Sequence, residues 1–255
     1  MERRNIKLNI AFDGSNYNGW QKQKNFRSVQ QTIEEELEKI FQERIILIGA
    51  GRTDRGAHAL NYTANFHTHN FNIPVENLPK ILNSLLPEDI KVLSAIEVPS
   101  SFHSRFSAKA REYIYLILNE KECLPHFRNY VYHLPLEVDL GKIKEICQII
   151  RGRHNFKSFC YGYGKDEKKD FQRIIYYFRP LEIKFLNQHF ILFFIKGNGF
   201  LKGMIRSLIS VCLNYEQGKI KKENIISALN GETIIDSKLR VAVPASGLYY
   251  KRTFF

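Results

Sequence analysis

Apolar side chains occupy every second position from Ile6 to Phe12, with Ile6, Leu8, Ile10 and Phe12 on one side. A period of two sends successive side chains to opposite faces, so Asn5 to Phe12 reads as a half-buried strand. The turn-forming run Asp13 to Asn16 closes it. The period then lengthens: Val29, Ile33, Leu37, Ile40 and Phe41 recur at helical spacing with acidic residues between them, which predicts an amphipathic helix over about Ser28 to Gln42. Ser28 is placed to cap it, and Gln31 stands where a capping box has its second member. Strands are expected at Ile45 to Gly49, Tyr62 to Thr68 and Lys91 to Val98, with a helix over Glu76 to Leu85.

From Arg111 a comparable series begins again. It comprises a strand over Glu112 to Leu118, a helix over Leu140 to Ile150, strands over Ile174 to Phe185 and His189 to Lys196, and a helix over Gly199 to Leu213. The likeness is one of element order, without a residue-by-residue repeat. We therefore divide the chain into two α/β halves, residues 1–105 and 106–255, with Pro99 to Lys109 as the boundary segment. A cleft between two such sheets suits a long substrate. The segment Tyr161 to Asp170, charged and punctuated by glycine, reads as an exposed loop that is either solvated or in touch with a phosphate backbone.

Composition sharpens this picture. The 255 residues hold 38 Lys plus Arg against 26 Asp plus Glu, a formal charge of +12. An excess of that size favours a polyanion as partner, because each cation placed on a phosphate releases condensed counterions, although a generally lysine-rich proteome would give the same balance. Four dispersed cysteines, Cys123, Cys147, Cys160 and Cys212, form no C-x-x-C pair, which argues against a structural zinc site and suggests reduced thiols in a cytoplasmic setting. No apolar stretch of signal-peptide length follows the charged N-terminus, and the densest run, Phe190 to Ile195, is far short of the roughly 20 residues a membrane helix needs. The expectation is a soluble protein with no membrane partner.

Candidate chemistry concentrates in Gly49 to Ala59, where Asp54 sits on a glycine-bracketed turn with Arg52 and Arg55 on either side. Neighbouring positive charge favours the carboxylate anion, which makes Asp54 a candidate nucleophile. An Asx-turn, in which the carboxylate merely satisfies loop amides, explains the residue equally well when it is taken alone. The run Phe102 to Lys109, followed by Arg111, Tyr113 and Tyr115, mixes guanidinium groups with aromatic rings, a combination suited to single-stranded or looped RNA. Tyr115 reads better as a core residue of its strand. In Gly197 to Arg206, Lys202 and Arg206 are four apart and so share one face of the expected helix, clear of the stripe formed by Phe200, Met204, Leu208 and Val211. His67 and His69 lack a third ligand at a recognisable spacing, so no metal is assigned. Gly162-x-Gly164-Lys165 lacks the length and following helix of a P-loop.

The ordered set of segments Asp13 to Gln23, Gly49 to Ala59, Leu82-Asn83 with Leu86 to Ile90, Arg105 to Tyr113, Gly152 to Phe156, Gly197 to Leu201, Met204 to Arg206 and Ser246 to Leu248 resembles the TruA-type tRNA pseudouridine synthases over nearly the whole chain. The resemblance implies an α/β (α+β) pseudouridine synthase fold, two halves with mostly antiparallel sheets flanking a basic cleft. It implies an isomerase that converts uridine to pseudouridine in the anticodon stem-loop of tRNA, at about positions 38 to 40, commonly as a homodimer. Carried over by position, Asp54 matches the catalytic aspartate, Arg52 the nearby arginine, Tyr113 the tyrosine that stacks on the target base, and Arg206 the basic partner of the aspartate. Arg55, His58, Arg105, Lys109, Arg111, Lys165 and Lys202 are the further RNA contacts expected. Ala57, Ser104 and Asn155 depart from the usual valine, alanine and aspartate, which touches loop packing or RNA contacts rather than the chemistry.

Isomerisation of this kind involves no redox change, so no cofactor is expected. Asp54 has two routes open, covalent attack on sugar or base and deprotonation at ribose C2′. Three other readings remain in competition. A non-catalytic RNA-binding module accounts for the charge but leaves Asp54 unexplained, and an acid-assisted nuclease needs a carboxylate cluster for metal that the sequence does not show. A synthase acting on other tRNA uridines is the nearest alternative.

Overall fold

A computed structural model describes residues 3–162 and 170–255. The chain divides into two compact units, Met1–Lys109 with Tyr249–Phe255, and Ala110–Leu248. The sequence division at 105/106 differs in two respects: residues 106–109 stay with the first unit, and the last residues return to it. The second follows from a strand, Leu248–Phe254, that the sequence reading did not assign.

In the first unit, strand β1 (Arg4–Phe12) alternates buried and part-exposed positions from Ile6 onward, as its period predicts. Helix α1 (Val29–Phe41) starts where expected, with the Ser28 side chain accepting from the Gln31 amide. Ile33, Leu37 and Phe41 are buried along one face of it, and Phe41 meets Phe66 with ring centres 5.5 Å apart. Of the segment Ile45 to Gly49, only β2 (Ile48–Gly49) forms a ladder. The residue before it is held by α1 instead, since the Leu47 amide donates to Glu34 Oε1 at 2.9 Å and Leu47 oxygen accepts from Gln30 Nε2 at 3.0 Å. Strand β3 (His58–Thr68) begins four residues earlier than its alternation suggests. Helix α2 (Leu78–Leu85) is preceded by a 3-10 turn, Val75–Asn77, and followed by strand β4 (Ile90–Val98). β1 pairs antiparallel with both β3 and β4, and β2 pairs antiparallel with β3. The C-terminal strand joins β3 in parallel, with Tyr249 opposite His58 and Tyr250 opposite Ala59.

The second unit is built on β5 (Ala110–Leu118), with a short parallel neighbour β6 (Tyr132–His133). Helix α3 (Leu140–Ile150) has the bounds its pattern predicts, and Asp139 caps it by accepting from the amides of Gly141 and Lys142. Strands β7 (Gly152–Asn155), β8 (Gln172–Phe185) and β9 (Gln188–Gly197) complete an antiparallel order β5-β9-β8-β7. Helix α4 (Met204–Glu216) packs against α3 and is buried along most of its first three turns. Helix α5 (Lys222–Asn230), which the sequence reading did not anticipate, follows it. Both units are therefore mixed α and β with mostly antiparallel ladders.

The helix expected from Gly199 starts only at Met204 because Gly203 takes φ 70°, a left-handed conformation that interrupts helical geometry ahead of it. Lys202 consequently lies in the preceding turn. The expectation that it shares a helix face with Arg206 is corrected on that ground.

Among the described residues no helix is long and apolar enough to cross a membrane, and none form a cluster of three or more His, Cys, Asp or Glu able to hold a metal. The four cysteines are free thiols, with Cys147 and Cys212 Sγ 4.0 Å apart in the core.

Candidate active site

Asp54 sits on the loop that joins β2 to β3, and two short contacts fix the loop's start. The Ala50 amide donates to Thr63 oxygen at 2.9 Å. The Tyr62 hydroxyl, part of a fully buried side chain, accepts from the Gly51 amide at 3.2 Å and donates to the carbonyl of the same residue. Its ring is held in an aromatic cluster, 4.1 Å from Trp20 and 4.8 Å from Tyr250 between ring centres. A buried phenol that both donates and accepts leaves neither backbone group of Gly51 unsatisfied and restricts where the next residues can go.

The rest of the loop rests on a second loop, Asp13 to Trp20. The Gly56 amide donates to Tyr17 oxygen at 3.3 Å, and the Ala57 amide closes a turn onto Asp54 oxygen at 3.1 Å. Close approach explains the glycines: a Cβ on Gly14 would stand 1.9 Å from Ala57 oxygen, and one on Gly19, which has φ +82°, would stand 2.3 Å from Thr53 oxygen. The supporting loop is itself anchored by Tyr17, whose hydroxyl donates to Asp89 Oδ1 at 2.5 Å. Burial is the main cause that pushes the Tyr17 phenol above its ordinary titration range, reinforced by the hydrogen bond and charge of Asp89.

On this platform Asp54 is half-buried, while Arg52 and Arg55 are exposed beside it. As a half-buried residue, Asp54 keeps part of its surface open to solvent. His58 differs. It is 2% exposed, its Nδ1 lies 3.2 Å from the Gly14 amide and 3.1 Å from Asp13 Oδ1, and its ring stacks on Tyr249 at 4.8 Å. Enclosed in this way it ties the two loops together rather than meeting RNA, which corrects its expected role. Arg105 and Lys109, in the segment after β4, are exposed.

The second unit carries the remaining candidates. Tyr113 on β5 is 6% exposed and meets Phe200 edge to face at 5.1 Å. Tyr115, two positions along the same face, is buried completely, with its hydroxyl donating to Pro244 oxygen at 2.7 Å. Burial pushes its phenol far up in pKa, so it is a neutral core residue, in keeping with the sequence reading. Arg111 donates to Asn198 oxygen at 3.2 Å. Arg206, in the first turn of α4, is half-buried, and its Nε donates to Val243 oxygen at 2.5 Å, which fixes the plane of the guanidinium. Lys202 is exposed. Lys165 lies outside the described residues.

Sequence reasoning missed Tyr62, Trp20 and Asp13 as parts of the support. The available signal was the concentration of glycine and aromatic residues in Asp13 to Trp20, which marks backbone brought close to something bulky.

A sequence profile described as tRNA pseudouridine synthase matches residues 9–107 and 146–255. The chain belongs to the tRNA pseudouridine synthase family. Relatives confirm the extent of the match. A protein of Caldicellulosiruptor bescii named tRNA pseudouridine synthase A is 40% identical over 250 residues, covering 96% of this chain and 97% of its own. The protein of the same name in Clostridium acetobutylicum is 39% identical over 256 residues, covering 99% and 100% respectively. A third, from Thermoanaerobacter pseudethanolicus, is 39% identical over 246 residues, covering 96% and 97%. The profile match spans the Asp54 loop, its supporting loop and Arg206.

Proposed function

We propose that this chain isomerises uridine to pseudouridine in the anticodon stem-loop of tRNA, with Asp54 as the catalytic carboxylate. The observation that carries the reading is a solvent-accessible aspartate on a rigidly supported loop, in a chain of the tRNA pseudouridine synthase family. In the reaction the bond from ribose C1′ to uracil N1 breaks, the base turns, and C1′ bonds to C5. The C5 proton leaves to solvent, and N1 gains one. Atoms and electrons balance without a redox partner, and a single carboxylate suffices either as nucleophile or as base at C2′.

The target uridine has to leave its stack, at a cost of a few kcal/mol. Tyr113 and Arg206 are assigned by position to the extruded base and to the aspartate. Nε of Arg206 donates to Val243 oxygen, which helps hold the guanidinium in place and supports an orienting role for this residue. Arg52, Arg55, Arg105, Lys109, Arg111 and Lys202 are assigned to the RNA. Homodimeric assembly and a cytoplasmic location belong to the same reading.

A tRNA transcript carrying tritium at uracil C5 tests it. Isomerisation releases the label to water, whereas a non-catalytic RNA-binding protein retains it and a nuclease shortens the transcript. Mapping the modified positions checks the stem-loop assignment.

A further inference from the structure

The most exposed large apolar side chain among those described in this molecule is Phe106, at 76%. It does not sit on a loose loop. The Phe102 amide donates to Pro99 oxygen at 2.9 Å and the Ser107 amide to His103 oxygen at 2.8 Å. His103 Nδ1 accepts from the amides of both Arg105 and Phe106, at 3.2 and 3.3 Å, and the His103 amide donates to Ser107 Oγ at 3.1 Å. Below the turn, buried Asn65 accepts from the Ser104 amide at 2.8 Å and donates to Asn5 at 2.9 Å. Asn5 in turn donates to the oxygens of Pro99 and Phe102, both at 2.9 Å.

So dense a set of bonds holds the backbone of Phe106 while its ring stands in water. A single exposed apolar residue is ordinary in itself. This one has specific company: the His103 ring lies 4.4 Å from its own, centre to centre, and the Arg105 guanidinium lies 5.5 Å from its centre. Lys109 follows three residues later, exposed, and no acidic residue occurs between Phe102 and Lys109. An aromatic face fixed in place beside cations fits one ligand chemistry well, a π-faced base attached to a phosphate backbone. A surface for a protein partner would instead carry exposed apolar residues on both sides of the ring in the chain, whereas Ser101, Arg105 and Lys109, close to it in sequence, are exposed and polar.

We infer that Phe106 is a stacking platform for an unpaired base of the tRNA, with Arg105 and Lys109 on the adjoining phosphates. The inference rests on tRNA as the substrate and adds to it a contact that reads the base's flat face rather than its edge. Such a contact binds without base preference, and it contributes to affinity rather than to the bond-breaking step.

The test compares full-length wild-type protein with Phe106→Ala, Phe106→Leu and Phe106→Trp, by equilibrium binding to unmodified tRNA across a salt series and by size-exclusion chromatography. One stacked base corresponds to roughly five- to 150-fold in affinity. The expected result is a loss of that size for alanine and leucine, recovery with tryptophan, and an unchanged salt slope; Arg105→Ala, by contrast, should lower the slope by about one. Wild-type affinity in Phe106→Ala overturns the inference. So does a leucine variant that binds as well as tryptophan, or a change of oligomeric state in any of the three. The wild-type tritium assay separates this outcome from the broader one: a protein that binds tRNA but releases no tritium fails as a synthase, while the ratio of affinities still decides Phe106.

Discussion

The hydroxyl of Tyr62 grips both the amide and the carbonyl of Gly51, three residues before Asp54. The side chain that makes this contact is wholly buried and wedged against Trp20, so a rigid aromatic cluster sets the start of the Asp54 loop. Tyr62→Phe retains the ring and the cluster but removes the grip. We expect kcat to fall roughly 10- to 100-fold, the range over which small misplacements act, with KM for tRNA nearly constant and Tm lowered by only a few degrees. Steady-state kinetics and calorimetry check this, and an unchanged kcat would remove Tyr62 from the positioning of Asp54.

Asp54→Asn preserves size and removes the charge. Turnover should disappear, below about one thousandth of wild type if the carboxylate is the nucleophile or base, while tRNA affinity changes by less than about threefold because a carboxylate neutralises no phosphate. Single-turnover tritium release and a filter-binding titration measure the two quantities. Normal release from this variant would falsify the assignment of Asp54.

Gly19→Ala acts through backbone contact. Its new Cβ would lie 2.3 Å from Thr53 oxygen, at a φ of +82° that L side chains disfavour, so either the supporting loop or the Asp54 loop has to shift. A destabilisation of about 1–3 kcal/mol is expected, together with a drop in kcat, because the displaced carbonyl belongs to the residue before Asp54. Urea denaturation and kinetics on the same preparation decide it; wild-type values in both would show that the loops absorb the methyl group freely.

The buried Tyr17 phenol gives a pH signature. Burial, then the hydrogen bond to and the charge of Asp89, raise its folded-state titration above the ordinary tyrosine value of 10.0. An unfolded chain releases that proton near 10, the folded one only higher, so the stability contributed is complete below pH 10 and is lost as pH rises. Urea midpoints should fall between about pH 10 and 11, by up to about 1.4 kcal/mol per pH unit for this group, and the fall should be shallower in Tyr17→Phe. Parallel curves for the two proteins would rule the contribution out.

Much of the fold is legible in local pattern. α3 ends where its spacing says, α1 starts at the cap Ser28 supplies, and β1 alternates as read, because one face of each is buried and burial enforces the period. Segments with other supports were misjudged. Within Ile45 to Gly49, Leu47 is held by the Glu34 and Gln30 side chains rather than by a ladder, and the helix read from Gly199 begins only after the left-handed Gly203. The C-terminal strand escaped notice since its partner, His58–Ala59, lies about 190 residues earlier.

For the site, residue types and their order along the chain were sufficient to identify the family and to make Asp54 and its flanking arginines the candidates, since such motifs are short and contiguous. What tertiary structure alone decided is who supports whom. His58 passed from an expected RNA contact to a buried tie between two loops, Lys202 came off the helix, Tyr62 emerged as a clamp, and Phe106 was left standing in water on a fixed turn. Burial and hydrogen-bond partnership depend on residues distant in the chain, and no local period or motif encodes them.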